Sequence, residues 1–72
     1  METFEITTEF IKLQDLLKFA SLVSTGGEAK IRILEGEVMV NDEVCLQRGR
    51  KIRPGDKVTF DGRDFGVTYA GR

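Results

Sequence analysis

The spacing of apolar residues passes from a helical to an extended period within this chain, and that change limits what it can become. From Lys12 onward Leu13, Leu16, Leu17, Ala20 and Val23 fall at intervals of three and four, the stripe of an amphipathic helix. Beyond Gly36 the interval becomes two: Val38, Val40, Val44 and Leu46 follow the pattern of a β-hairpin buried on one face, with Asn41-Asp42 as its turn and Met39 pointing away. A chain of 72 residues has room for only one core, near the lower limit of size, so the helical and extended parts must share it. The expected fold class is α+β, with two short helices packed on a small twisted, mostly antiparallel sheet, and residues 1–72 forming a single domain.

The remaining elements follow from local chemistry. TFEITTEFI at 3–11 is rich in Thr, Phe and Ile and predicts an opening strand; the first helix is expected over 13–22. STGG at 24–27 interrupts the stripe: paired glycines favour a tight turn, and Ser24 or Thr25 can cap a second helix. That helix carries Glu28 in its first turn, turns Ala29 and Ile33 inward and ends before Gly36. Pro54-Gly55 and Asp61-Gly62 mark turns around a strand at Lys57–Phe60, Asp56 caps the first of these turns, and Phe65 to Tyr69 closes the sheet.

Several classes of function are poorly served by this composition. With 40% apolar and 32% charged residues of both signs, the sequence reads as soluble and globular, and no apolar run is long enough for a bilayer. METFEITTE lacks the basic and apolar regions of a signal peptide, so the cytoplasm is the expected location. One cysteine and no histidine leave neither an internal disulfide nor a transition-metal ligand set, and Cys45 is expected to fill apolar space. Without a histidine base or a phosphate loop of recognised spacing, neither an enzyme nor a cofactor is expected.

The charges are unevenly placed. Arg48, Arg50, Lys51 and Arg53 occupy four of six consecutive positions in a chain with eleven basic residues and a net charge of -1. Strict alternation would bury arginines beside Leu46 and Ile52, so Gly49 is expected to mark a bulge or loop that turns Arg48, Arg50 and Lys51 to solvent together. Lys30 and Arg32 on the second helix and Lys12 at the start of the first are candidates to join them. Salt screens charges beyond roughly 8 to 10 Å, so such a cluster attracts phosphates despite the net charge. Glu2, Glu5, Glu9, Asp61 and Asp64 lie toward the chain ends, which suggests two faces of unlike charge.

Residues 12–60 resemble the RNA-binding domain named after ribosomal protein S-four, also called the alpha-L motif. The likeness rests on the helix-helix stretch ending in Glu28-Ala29-Lys30, on EGEVMVND at 35–42 and on Arg53-Pro54-Gly55-Asp56. STGGEAK and RGRKIRPGD are similar to small stand-alone bacterial members that contain little besides this domain. The resemblance implies a non-catalytic protein that recognises structured RNA, such as ribosomal RNA, a ribosome assembly intermediate or tRNA, through a patch of Lys12, Lys30, Arg32, Arg48, Arg50, Lys51 and Arg53. A monomer is expected, with the ribosome as a further partner and no membrane.

Two departures stand out: Thr25-Gly26 replaces a Ser-Arg pair common in the family, leaving backbone N–H groups for a phosphate, and Arg32 occupies a position often apolar in relatives. Arginines would pair with phosphate oxygens and lysines act as point charges, with folded RNA read by shape. The aromatic residues are assigned mainly to the core, so a stacking platform for single strands is not expected. The alternatives are a β-grasp carrier, suggested by VNDE followed by PGDKV but lacking a terminal Gly-Gly, and a protein adaptor whose cations meet an acidic partner.

Overall fold

Leu13, Leu16 and Leu17 form the buried stripe of α1 (Leu13–Phe19), and Ala29 with Ile33 that of α2 (Gly26–Leu34), in a computed structural model that describes residues 2–71. The stripe predicted beyond Phe19 does not continue as helix. Ala20 is the C-cap and Ser21 takes φ 59°, which turns the chain out of the helical path, while Val23 reaches the core from the connection.

The start of α2 also differs in detail. Gly26 and Gly27 form its first turn and are not among the positive-φ residues. Thr25 is the N-cap, its Oγ1 accepting from the Glu28 N–H at 3.1 Å, and the Glu28 carboxylate accepts from the Ser24 N–H at 2.9 Å. Two otherwise unpaired backbone donors are thereby satisfied at the helix entrance.

The strands are β1 (Glu2–Ile6), β2 (Ile11–Lys12), β3 (Val38–Val40), β4 (Glu43–Val44), β5 (Lys51–Ile52), β6 (Lys57–Phe60) and β7 (Arg63–Tyr69). Five of them form one sheet in the order β1-β7-β6-β3-β4, and β2 pairs with β5 separately. All pairs are antiparallel except β1 with β7, so the sheet is mixed. Alternation assigns side chains to faces but does not choose a strand's partner, and the parallel pairing is therefore not written in the local pattern. The opening extended stretch is shorter than expected, breaking after Ile6 and resuming at Ile11.

Asn41-Asp42 (φ 52° and 71°) and Asp61-Gly62 (φ 56° and 74°) hold both central residues at positive φ, the conformation of two-residue type I′ hairpin turns. Such a turn sets Val40 opposite Glu43 and Met39 opposite Val44. Val44 therefore shares a face with Met39, contrary to the expected burial of Val44 and Leu46, which are 57% and 54% exposed. Cys45 takes the buried place instead, its N–H bonded to the Val38 carbonyl at 3.0 Å.

Val38 opposite Phe60, Val40 opposite Val58 and Val58 opposite Phe65 make the sheet's inner face, which joins the helix stripes in one apolar core. Among the described residues no polar or charged side chain is buried. Arg53 to Asp56 forms a turn with Gly55 at φ 98° and an Asp56 N–H to Arg53 carbonyl bond of 2.9 Å. The Asp56 carboxylate accepts from the Arg53 N–H at 2.9 Å and from Asn41 Nδ2 at 3.1 Å, while Asn41 Oδ1 accepts from the Lys57 N–H at 3.0 Å. As expected, Asp56 caps its turn; it also ties that turn to the β3–β4 hairpin.

Candidate nucleic-acid interface

The basic segment is fixed to the start of α1 through its backbone. In an isolated helix the first N–H groups lack partners, and Lys12, the N-cap of α1, offers no side-chain cap. Two carbonyls of the loop replace it: the Leu13 N–H donates to the Arg50 oxygen at 2.9 Å and the Gln14 N–H to the Arg48 oxygen at 3.1 Å. A turn closed by the Arg50 N–H on the Gln47 carbonyl, at 3.1 Å, carries Arg48 and Gly49 outward. The expected loop is present, and Arg48, Arg50, Lys51 and Arg53 are all exposed.

The short ladder beside it places Ile11 opposite Ile52 and Lys12 opposite Lys51. Ile52 is fully buried, which directs the two lysines together to the outer side. Like charges directly opposite one another destabilise a strand pair. Even so, among the described residues no carboxylate forms an ion pair with Lys12, Arg48, Arg50, Lys51 or Arg53.

Other cations are held by the chain's own acids. Arg32 Nη1 donates to Glu37 at 2.8 Å and Arg32 Nη2 lies 3.9 Å from Glu28, with the guanidinium 5.9 Å from the centre of the Phe60 ring. The hydrogen bond and charge of Glu37 raise the Arg32 pKa, and the Arg32 hydrogen bond is the main reason the Glu37 carboxyl lies below its ordinary value. Lys57 Nζ meets Asp42 at 2.7 Å, which raises its pKa, and Arg63 Nε donates to Glu2 at 3.1 Å.

Of the seven sequence candidates, Lys12, Arg48, Arg50, Lys51 and Arg53 thus share one short region around β2 and β5. Lys30 and Arg32 stand apart on α2, and their two-residue spacing puts them on different sides of that helix. Lys30 is exposed and, among the described residues, unpaired. Lys18, which composition alone did not single out, is likewise unpaired and sits in the last turn of α1, where a cation suits the helix dipole.

Sequence reasoning missed an open groove of about 650 Å³ beside the cluster, lined by Glu9, Phe10, Lys51, Arg53, Pro54 and Tyr69. Lys51 Nζ is 4.9 Å from the centre of the Phe10 ring. The aromatic residues are less committed to the core than expected: Phe60 and Phe65 are buried, Phe4 and Phe10 half-buried, and Phe19 and Tyr69 exposed. The adjacency of Phe10 and Ile11 breaks period-two alternation and was the available signal, because two consecutive apolar residues cannot both face one core.

Comparison with known proteins matches residues 4–68 to the family model described as S4 domain. The chain is 47% identical over 57 residues to the probable ribosome maturation protein RlbA of Bacillus subtilis (strain 168), covering 79% of this chain and 80% of that one. It is 37% identical over 68 residues to YbcJ of Escherichia coli (strain K12), covering 93% and 97%. The solution structure of YbcJ from E. coli, described as revealing an alpha-L motif involved in RNA-binding, superposes with a TM-score of 0.71 at 36% identity and covers 94% of this chain and 87% of that one.

Proposed function

This chain belongs to the S4 domain family, and on that premise we propose that it is a non-catalytic RNA-binding protein recognising structured RNA, with ribosomal RNA or a ribosome assembly intermediate as its target. The names of RlbA and YbcJ support this reading. The observation that carries it is the Lys12–Lys51 pairing, with Arg48 and Arg50 bound through their carbonyls to the start of α1. A fold that places like charges opposite each other, with no carboxylate ion-paired to either among the described residues, leaves that charge for a polyanion.

Arg48, Arg50 and Arg53 form paired hydrogen bonds to phosphate oxygens, and Lys12 and Lys51 act as point charges. Backbone anchoring keeps the cations in a fixed relative arrangement, which suits recognition of a folded RNA by shape. Lys30 extends the surface along α2, while Arg32 contributes only by exchanging its carboxylate partners for phosphate. Family membership favours this assignment over a β-grasp carrier.

The test is binding of a ribosomal RNA fragment, followed by fluorescence anisotropy, to the wild type and an Arg50→Glu/Lys51→Glu variant. An affinity loss of at least tenfold in a variant with native circular dichroism supports the proposal. Unchanged affinity sinks it.

A further inference from the structure

The groove beside the cationic cluster joins two cations of the phosphate-binding surface to groups which that surface does not need. Two aromatic rings, Phe10 and Tyr69, line it with the ring of Pro54, two cations, Lys51 and Arg53, and one carboxylate, Glu9. Tyr69 is 51% exposed although it ends a strand of the main sheet. Glu9 forms no ion pair with either cation, or with any other among the described residues, so both signs of charge remain available along one groove.

We infer that this groove binds a single unpaired guanine nucleotide extruded from the RNA, an inference that rests on the RNA-binding reading above. Its volume of about 650 Å³ lies within the usual range of small-ligand sites. Stacking on the exposed Tyr69 ring accommodates any base, whereas the carboxylate discriminates among them. Ionised Glu9 is an acceptor only. The Watson–Crick edge of guanine presents two adjacent donors, N1–H and the N2 amino group, which a carboxylate accepts together. Adenine, cytosine and uracil each set an acceptor beside their donor and oppose it. Lys51 is common to the groove and to the ladder with Lys12, so the phosphate of the bound nucleotide meets the same cations that hold the rest of the RNA.

Tyr69 is the only tyrosine and the chain has no tryptophan, so its emission reports directly on this groove. Titration with the 5′-monophosphates of guanosine, adenosine, cytidine and uridine should show saturable quenching by the guanosine nucleotide at least fivefold tighter than by the others, and none by inorganic phosphate. Glu9→Gln should reduce the preference to within twofold while leaving the fold and the tyrosine emission unchanged. Equal quenching by all four nucleotides, or a guanine preference that survives Glu9→Gln, overturns the inference.

A blunt RNA duplex without unpaired bases separates this from the parent reading. Wild type, Glu9→Gln and Tyr69→Ala should bind it equally. If the duplex binds but guanosine monophosphate does not quench saturably, the groove inference fails alone. If the nucleotide binds with the stated preference while neither duplex nor folded ribosomal RNA binds, the RNA-binding reading fails, and the groove remains a guanine-nucleotide site.

Discussion

Lys12 and Lys51 face each other across a ladder of two residue pairs, where like charges cost roughly 0.2 to 1 kcal/mol. Removing that repulsion should therefore stabilise the fold while weakening RNA binding. Lys12→Glu is expected to shift the urea midpoint upward by the equivalent of a few tenths of a kcal/mol, at most about 1, and to lower RNA affinity at least tenfold. A variant that loses both stability and affinity would mean that Lys12 serves the fold. The four cations of 48–53 were legible as a cluster because strict alternation would have buried arginines beside Leu46 and Ile52, and Gly49 offered the break that turns them to solvent. The engagement of Arg32 was not, since Glu28 is a helical neighbour but Glu37 comes within reach only where the chain turns out of α2.

At the scale of elements, α2 depends on its two ends. Thr25→Ala removes the cap that accepts from the Glu28 N–H and should cost about 1 kcal/mol in chemical denaturation, more than the same change at exposed Thr68. At the other end, Arg32 holds the Glu37 carboxyl below its ordinary value, so the folded state binds fewer protons than the unfolded one in that range. The contribution is present above the unfolded carboxyl value and is lost as pH falls through the lowered folded one. The wild type should accordingly lose more thermal stability between pH 7 and pH 3 than Glu37→Gln, with a difference that shrinks in salt because the pair is exposed. Both helices, the three turns and most strands were readable from period and turn chemistry. The face of Val44 was misread because a two-residue turn puts Glu43, not Val44, opposite Val40, and a slip of one residue inverts every side chain that follows.

Over the whole molecule, one small core carries the fold and the basic surface is built on its margin. Ile33 is fully buried, and Ile33→Ala should cost about 2 to 5 kcal/mol, a large share of what a domain of this size possesses, visible as a collapse of the unfolding transition. The parallel pairing of β1 with β7 and the groove at Tyr69 both arise from contacts between distant parts of the chain, which local patterns do not encode. The central claim is that Lys12, Arg50 and Lys51 act together as phosphate contacts on a body of net charge -1. The most direct measurement is the salt dependence of binding to a ribosomal RNA fragment for the wild type and for the neutralised variant Lys12→Gln/Arg50→Gln/Lys51→Gln. Each lost contact removes about 0.7 to 0.9 from the slope of log affinity against log salt, so the variant should bind more weakly with a slope shallower by about 2 to 3. A natively folded variant with the wild-type affinity and slope would contradict the account.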